Sequence, residues 1–217
     1  RKKPPAPHEE DTGNRHPNKD DRVALRKKIR EHVTNPENMN VGQETPTKIA
    51  YGADHARSTA EKEFRVAQWN AYVMKLRDDL QANREKMIEE LKANGSMNDQ
   101  IQRAILSGNI LGCADMSGSM TWDNQPPNRP YDHAMALTAM ISEVSNENWR
   151  DLAMAFSDNP RIFNFKTVHG KSMNIIERIR EIKSHEGYTT NIEGMFREII
   201  YRIKSSGARK NEIDDLL

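Results

Sequence analysis

A short, largely apolar run from Asn109 to Asp115 ends on a carboxylate and breaks at once into Met116-Ser117-Gly118-Ser119-Met120. A run of this length, bounded by a glycine turn, fits a buried strand and is too short for a helix of ordinary length. The turn gathers Asp115, Ser117 and Ser119 into one small loop at the strand's carboxyl end. One carboxylate and two hydroxyls are hard oxygen donors of the kind that Mg²⁺ or Mn²⁺ takes. With a single carboxylate the ion keeps much of its positive charge and some open positions. A carboxylate from another protein can then complete the shell, so the loop reads as a site for an acidic partner.

The chain that follows alternates in period. Tyr131 to Asn146 reads as a helix, Asp151 to Ser157 as a second strand and Arg161 to Lys166 as a third. Asp158-Asn159-Pro160 joins the last two in a hairpin, and helices follow at Met173 to Lys183 and Ile192 to Lys204. Strands alternating with helices predict an α/β fold with a doubly wound sheet, into which the hairpin introduces one antiparallel strand. Ligands in such sheets collect at the carboxyl ends of strands, where Asp115 lies.

Upstream the composition differs. Residues 1–19 carry Pro4, Pro5, Pro7, Gly13 and Pro17 with almost nothing apolar, and read as an extended or disordered arm. Residues 20–55 read as a short helix, capped by Asp20 or Asp21 and carrying Val23, Leu25, Ile29 and Val33, then a connecting loop punctuated by Pro36, Gly42, Pro46 and Gly52. Residues 56–108 form a helical extension. Ser58 and Glu61 make a capping box, and Phe64, Trp69, Tyr72, Val73, Leu76, Leu80, Met87 and Leu91 recur at helical spacing, predicting an amphipathic helix over 59–93. Its apolar stripe reads as a side packed on the following domain, or as a coiled-coil contact with another subunit. Asn94-Gly95 stops it, and Ser96 with Asp99 opens a shorter helix through Ile101, Ile105 and Leu106 to Gly108.

Asp115-x-Ser117-x-Ser119 resembles the metal-ion-dependent adhesion site of von Willebrand factor A (vWA) domains, whose next ligand is a threonine on a second loop. Thr190, in Gly187-Tyr188-Thr189-Thr190-Asn191, stands where that threonine is expected. Gln68-Trp69-Asn70-Ala71-Tyr72-Val73, Cys113-Ala114-Asp115 and Ala155-Phe156-Ser157-Asp158-Asn159-Pro160 are most similar to the uncharacterised vWA-containing family shared by plants and large DNA viruses. The ring-shaped Ro-type RNA-binding proteins are a more distant likeness. The resemblance implies a Rossmann-like sheet over 109–217, partial at its C-terminal side, with Asp115, Ser117, Ser119 and Thr190 holding Mg²⁺ or Mn²⁺. It also implies a further aspartate from a strand after the last helix; the sequence stops at Leu217, so it is read as a segment of a longer protein.

Beside the first loop lies a polar, proline-rich insert, Thr121 to Pro130. Trp122 in it reads as a partner-binding anchor or as a side chain folded back on its own domain, and Asp123 as a residue near the ion. His133 and His185 flank the two loops without a second carboxylate, cysteine or histidine at ligand spacing, and read as ordinary helix or loop positions. There is no phosphate loop, nucleophile elbow or zinc spacing, so nothing supports an enzyme. The net charge of +1 gives no global attraction to nucleic acid, and the basic runs Arg1-Lys2-Lys3 and Arg26-Lys27-Lys28 read as solvated surface. The single cysteine, Cys113, reads as a buried reduced thiol and fits an intracellular compartment. No apolar run approaches the ~20 residues of a membrane span. The expectation is therefore an intracellular, cytoplasmic or virion-associated interaction module that captures a partner carboxylate through a metal ion. The alternatives are a structural or assembly protein, as in a large DNA virus particle, and an RNA-associated protein of Ro-like kind.

Overall fold

The computed structural model describes residues 18–39, 44–95, 98, 100–101, 108–122 and 125–206. Its elements are α1 (Asp20–Thr34), α2 (Pro46–Asp54), α3 (Thr59–Ala93), β1 (Gly112–Asp115), α4 (Pro130–Val144), β2 (Leu152–Phe156), β3 (Arg161–Asn164), α5 (Ile175–Lys183) and α6 (Ile192–Ser206). The chain is mixed α/β, as expected. Among the described residues the sheet has three strands in the order β1-β2-β3. β1 pairs with β2 in parallel, from Gly112 opposite Ala153 to Asp115 opposite Phe156. β3 returns antiparallel, with Leu152 opposite Asn164 and Ala155 opposite Arg161. Both outer strands are shorter than the sequence predicts: Asn109 instead accepts a side-chain hydrogen bond from Asn146, and Lys166 sits in an isolated bridge with Ser172.

Alternation along the strands decides which sheet face carries the core. Ala114, Ala153 and Ala155 are fully buried and belong to one cluster with Trp69, Val73, Tyr131, Met135, Ala136, Phe165, Ile175 and Ile179. Small residues on this face let α4 approach closely. A Cβ on Gly112 would meet the Thr138 Cα at 3.1 Å and its carbonyl oxygen at 3.2 Å. Cys113 points the other way and is exposed, which corrects the expectation of a buried thiol. Partial desolvation still pushes its pKa above the ordinary value, which keeps the sulfur largely protonated and a weak nucleophile at neutral pH.

The upstream region differs in one important respect. The stretch 35–55, expected to be a loop, contains α2, whose Thr47, Ile49, Ala50 and Ala53 are buried against α3, α4 and α5. Thr45 caps this helix, accepting from the Lys48 amide, and Pro46 occupies its first turn, where a missing N–H costs nothing. Gly52 lies inside the helix on the side of α3; a Cβ there would meet Nε of the flexible Arg65 side chain at 2.9 Å. In α1 the cap is Lys19, with no side-chain cap bond; Asp20 and Asp21 fall in the first turn, where their charge favours the helix dipole. The arm over residues 1–17 and most of the short helix expected over 96–108 lie outside the described residues.

Helix α3 matches its predicted bounds. Ser58 Oγ accepts from the Glu61 amide at 3.1 Å, and Glu61 reaches back to the amide of Arg57 at 3.0 Å. Gly95 ends it with φ +66°, a conformation suited to glycine. At about 52 Å the helix is longer than the sheet is wide, and three side chains fasten its inner side. Trp69 Nε1–H donates to Glu143 Oε1 (2.7 Å), Arg77 donates to the Glu143 carbonyl (2.8 Å) and Arg84 donates to Asn146 Oδ1 (2.9 Å).

Glu143 belongs to a buried network around Arg178. This guanidinium pairs with Asp151, lies 3.3 Å from Glu143, donates to Ser142 Oγ (2.8 Å) and the Met173 carbonyl (2.9 Å), and stacks over Phe165. Asp151 takes φ 63°, a left-handed position that aspartate tolerates better than most residues. It also accepts from Ser172 Oγ at 2.8 Å. Burial pushes the Glu143 carboxyl above its ordinary value; Arg178, the Trp69 hydrogen bond and Arg77 pull it back only in part, and Asp151 adds to the rise. Among the described residues, no helix is long and apolar enough to cross a membrane.

Candidate functional site

Three loops meet at the carboxyl ends of β1 and β2. The first is Asp115 to Thr121. Asp115 Oδ1 accepts from the Ser117 amide at 2.9 Å, an arrangement that folds the chain tightly after the strand. A turn of 3-10 helix, Gly118–Thr121, follows. Ser117 is buried and Ser119 exposed, yet their hydroxyl oxygens stand 3.1 Å apart.

The second loop, Gly187 to Asn191, lies directly against the first. The Gly187 amide donates to the Met116 carbonyl at 3.2 Å, and a Cβ on Gly118 would come within 3.9 Å of the Tyr188 carbonyl oxygen. The expected site residues Asp115, Ser117 and Ser119 thus share one loop, and the loop bearing Thr190 is its neighbour. Thr190 itself is exposed.

The third loop, Ser157 to Pro160 after β2, contributes a residue that sequence reasoning treated only as part of a hairpin. Asp158 accepts from the Tyr188 amide (2.8 Å), the Thr189 amide (3.1 Å) and the Thr189 hydroxyl. The Thr189 hydroxyl, then the Tyr188 amide, hold its carboxyl below the usual aspartate range. Ser157 extends the same contact: its hydroxyl donates to the His185 carbonyl (2.9 Å) and its carbonyl accepts from the Asn191 amide (3.0 Å). Gly187 is needed for this approach, because a Cβ there would lie 2.5 Å from Asp158 Oδ2 and 2.6 Å from Ser157 Oγ. No local sequence signal announces a pairing between residues 30 positions apart.

The remaining candidates are distributed around this cluster. Trp122 is 76% exposed, so the alternative in which it folds back on its own domain does not hold for the described chain. Asp123 lies outside the described residues. His133 shares a hydrogen bond with Thr47 Oγ1 at 2.9 Å and ties α4 to α2. His185 stacks on Phe163 with ring centroids 4.5 Å apart and sits 3.6 Å from Glu181. Both rings are engaged in packing. Among the described residues no three His, Cys, Asp or Glu side chains are grouped to hold a metal. A set of one carboxylate and several hydroxyls is of a different kind.

Residues 109–213 match the model of a family described as Domain of unknown function (DUF7788). No curated protein and no solved structure matches the chain.

Proposed function

We propose that residues 109–206 are the N-terminal part of a vWA-type, Rossmann-like module that recruits a protein partner through a divalent cation. Asp115, Ser117, Ser119 and Thr190 would hold Mg²⁺ or Mn²⁺, and the ion, when bound, supplies a positive centre for a carboxylate of the partner. The observation that carries this reading is the meeting of the Asp115–Thr121 and Gly187–Asn191 loops, joined by the bond from Gly187 to Met116. The oxygen spacing supports it. Two neighbouring oxygens of an octahedral Mg²⁺ shell at about 2.1 Å from the ion lie about 3.0 Å apart. Ser117 Oγ and Ser119 Oγ, at 3.1 Å, already stand at that separation. The bond from the Ser117 amide fixes the Asp115 carboxylate to the same loop. Trp122, exposed at the loop's end, would be the hydrophobic anchor for the partner.

Only an ion that binds the native state raises its unfolding midpoint. Thermal unfolding of wild type in Mg²⁺, Mn²⁺ and chelator should show a metal-dependent rise that Asp115→Ala abolishes. Identical melts for both proteins in all conditions would overturn the metal-bridged reading.

A second reading, a structural or assembly protein, draws on a different observation. Helix α6 packs on β3 yet leaves Ile192, Phe196, Ile200 and Tyr201 exposed along its outer side. An apolar stripe of this kind is suited to burial in a larger complex.

A further inference from the structure

We propose that Asp158 is a positioning residue of the metal site: through Tyr188 and Thr189 it holds the Gly187–Asn191 loop so that Thr190 faces the oxygens of Ser117 and Ser119. The inference rests on the reading of Asp115, Ser117, Ser119 and Thr190 as ligands, and assigns the site's support to a residue outside that set.

What fixes Thr190 lies on either side of it in the chain. Its own side chain is exposed, so its place is set by its neighbours in the chain. Before it, the amides of Tyr188 and Thr189 and the Thr189 hydroxyl all converge on the two carboxylate oxygens of Asp158. After it, the Asn191 amide is held by the Ser157 carbonyl, and Asn191 Nδ2 reaches the Asp158 carbonyl at 3.4 Å. Thr190 is thus the short span between two anchored points, and both anchors belong to the loop after β2. Gly187 makes the approach sterically possible, since any side chain there would collide with Asp158 and Ser157.

A carboxylate suits this task better than a neutral acceptor. It offers two oxygens with several lone-pair directions and no competing donor, so it can take three N–H and O–H donors together. An asparagine at the same place keeps one good acceptor and turns an amide NH₂ towards groups that are themselves donors. Asp158 is exposed and lies in a hairpin loop outside the core, so its replacement leaves the global fold in place. The effect should appear at the site. Side chains that orient metal ligands from outside the coordination shell are worth about tenfold to a hundredfold in metal affinity.

The test is a Mn²⁺ titration of the full chain, followed by the loss of the free-ion electron paramagnetic resonance signal. The proteins are wild type, Asp115→Ala, Thr190→Ala, Asp158→Ala, Asp158→Asn, Gly187→Ala and the double variant Asp158→Ala/Thr190→Ala, each with its unfolding midpoint. We expect Asp158→Ala and Gly187→Ala to weaken binding about tenfold or more, with Asp158→Asn between Asp158→Ala and wild type. The double variant should bind no more weakly than Thr190→Ala alone, because Asp158 acts through Thr190. A purely structural role would instead lower the midpoint and add to the Thr190 effect. Unchanged affinity in Asp158→Ala, or additive losses in the double variant, would overturn the positioning role while leaving the metal site standing. Failure of wild type to bind Mn²⁺, or binding that Asp115→Ala leaves unchanged, would overturn both.

Discussion

Replacing Arg178 by methionine tests what holds the described elements together. Arg178 is 1% exposed, and its guanidinium serves Asp151, Glu143, Ser142, the Met173 carbonyl and the ring of Phe165. Methionine fills most of the volume but removes the cation from beside two buried carboxyl groups. Breaking a buried pair by deleting one partner costs about 3–5 kcal/mol, because the remaining charge is left without compensation. The Met173 carbonyl loses its guanidinium donor, worth about 1–3 kcal/mol if left unpaired, while the Ser142 hydroxyl keeps its bond to the Ala139 carbonyl. Relief comes from protonation of Glu143, whose carboxyl burial already pushes above its ordinary value. A net loss of about 4 kcal/mol follows, a large share of the ~5–15 kcal/mol that stabilises most domains. For a chain of this size it corresponds to a fall of about 8–16 °C in Tm. Urea unfolding at pH 7 measures it, and Asp151→Asn supplies the second corner of a double-mutant cycle, since asparagine also tolerates the left-handed backbone at that position. A loss below about 1 kcal/mol for Arg178→Met, with no coupling to Asp151→Asn, would refute the account of Arg178 as the centre of the network.

Two further outcomes test separate parts of the structure. Because burial raises the Glu143 carboxyl, its contribution to stability is fully present below the ordinary glutamate value and is lost as pH rises through the folded-state value. Glu143→Gln should therefore flatten the decline in stability on the alkaline side of that ordinary value in a pH series of urea melts; an unaltered slope would contradict the assignment. Gly112→Ala drives a Cβ into the backbone of α4 at Thr138, which cannot swing aside as a flexible side chain can. A loss of about 1–3 kcal/mol is expected by chemical denaturation, and a neutral result would mean that the strand and helix are free to separate.

How far the sequence discloses this fold depends on the range over which each feature is determined. Helix α3 is legible because its capping box, stripe and Asn94-Gly95 stop are all local. The hairpin of β2 and β3 is legible for the same reason, with Asp158-Asn159-Pro160 between two apolar runs. Helix α2 is misread because Pro46 and Gly52 look like breakers. Yet Thr45 followed by Pro46 is a helix start, and Gly52 faces Arg65 on another helix, which no local pattern displays. Cys113 is misread by treating β1 as uniformly buried, when period-two alternation with Gly112 and Ala114 places it on the opposite face. At the site, the Asp115 loop is written in consecutive residues. The part played by Asp158 is not, since its partners are carried to it by β3, α5 and the turns between them.

The Arg178 network and the candidate site occupy opposite ends of the same two elements. Asp151 lies immediately before β2, and Ser157 and Asp158 lie immediately after it. Arg178 sits within α5, and the chain leaving that helix becomes the Gly187–Asn191 loop. The buried pair therefore sets the relative placement of β2 and α5 where water is excluded and the pairing leaves little freedom. Ser157, itself buried, and Asp158, exposed to water, then join the outgoing ends of those elements. This division matches the chemistry each end requires. A charge pair in the core gains from low dielectric and defines one arrangement when its hydrogen bonds are all made. A metal site needs solvent access and open positions, so its exposed side chains depend on hydrogen bonds from a framework fixed elsewhere. The packing of α2 and α3 completes that framework: Trp69 on Glu143 and Lys183 on Asp54 bring the upstream helices to bear on α4 and α5. The residues before 109 are thus part of what holds the candidate site in place.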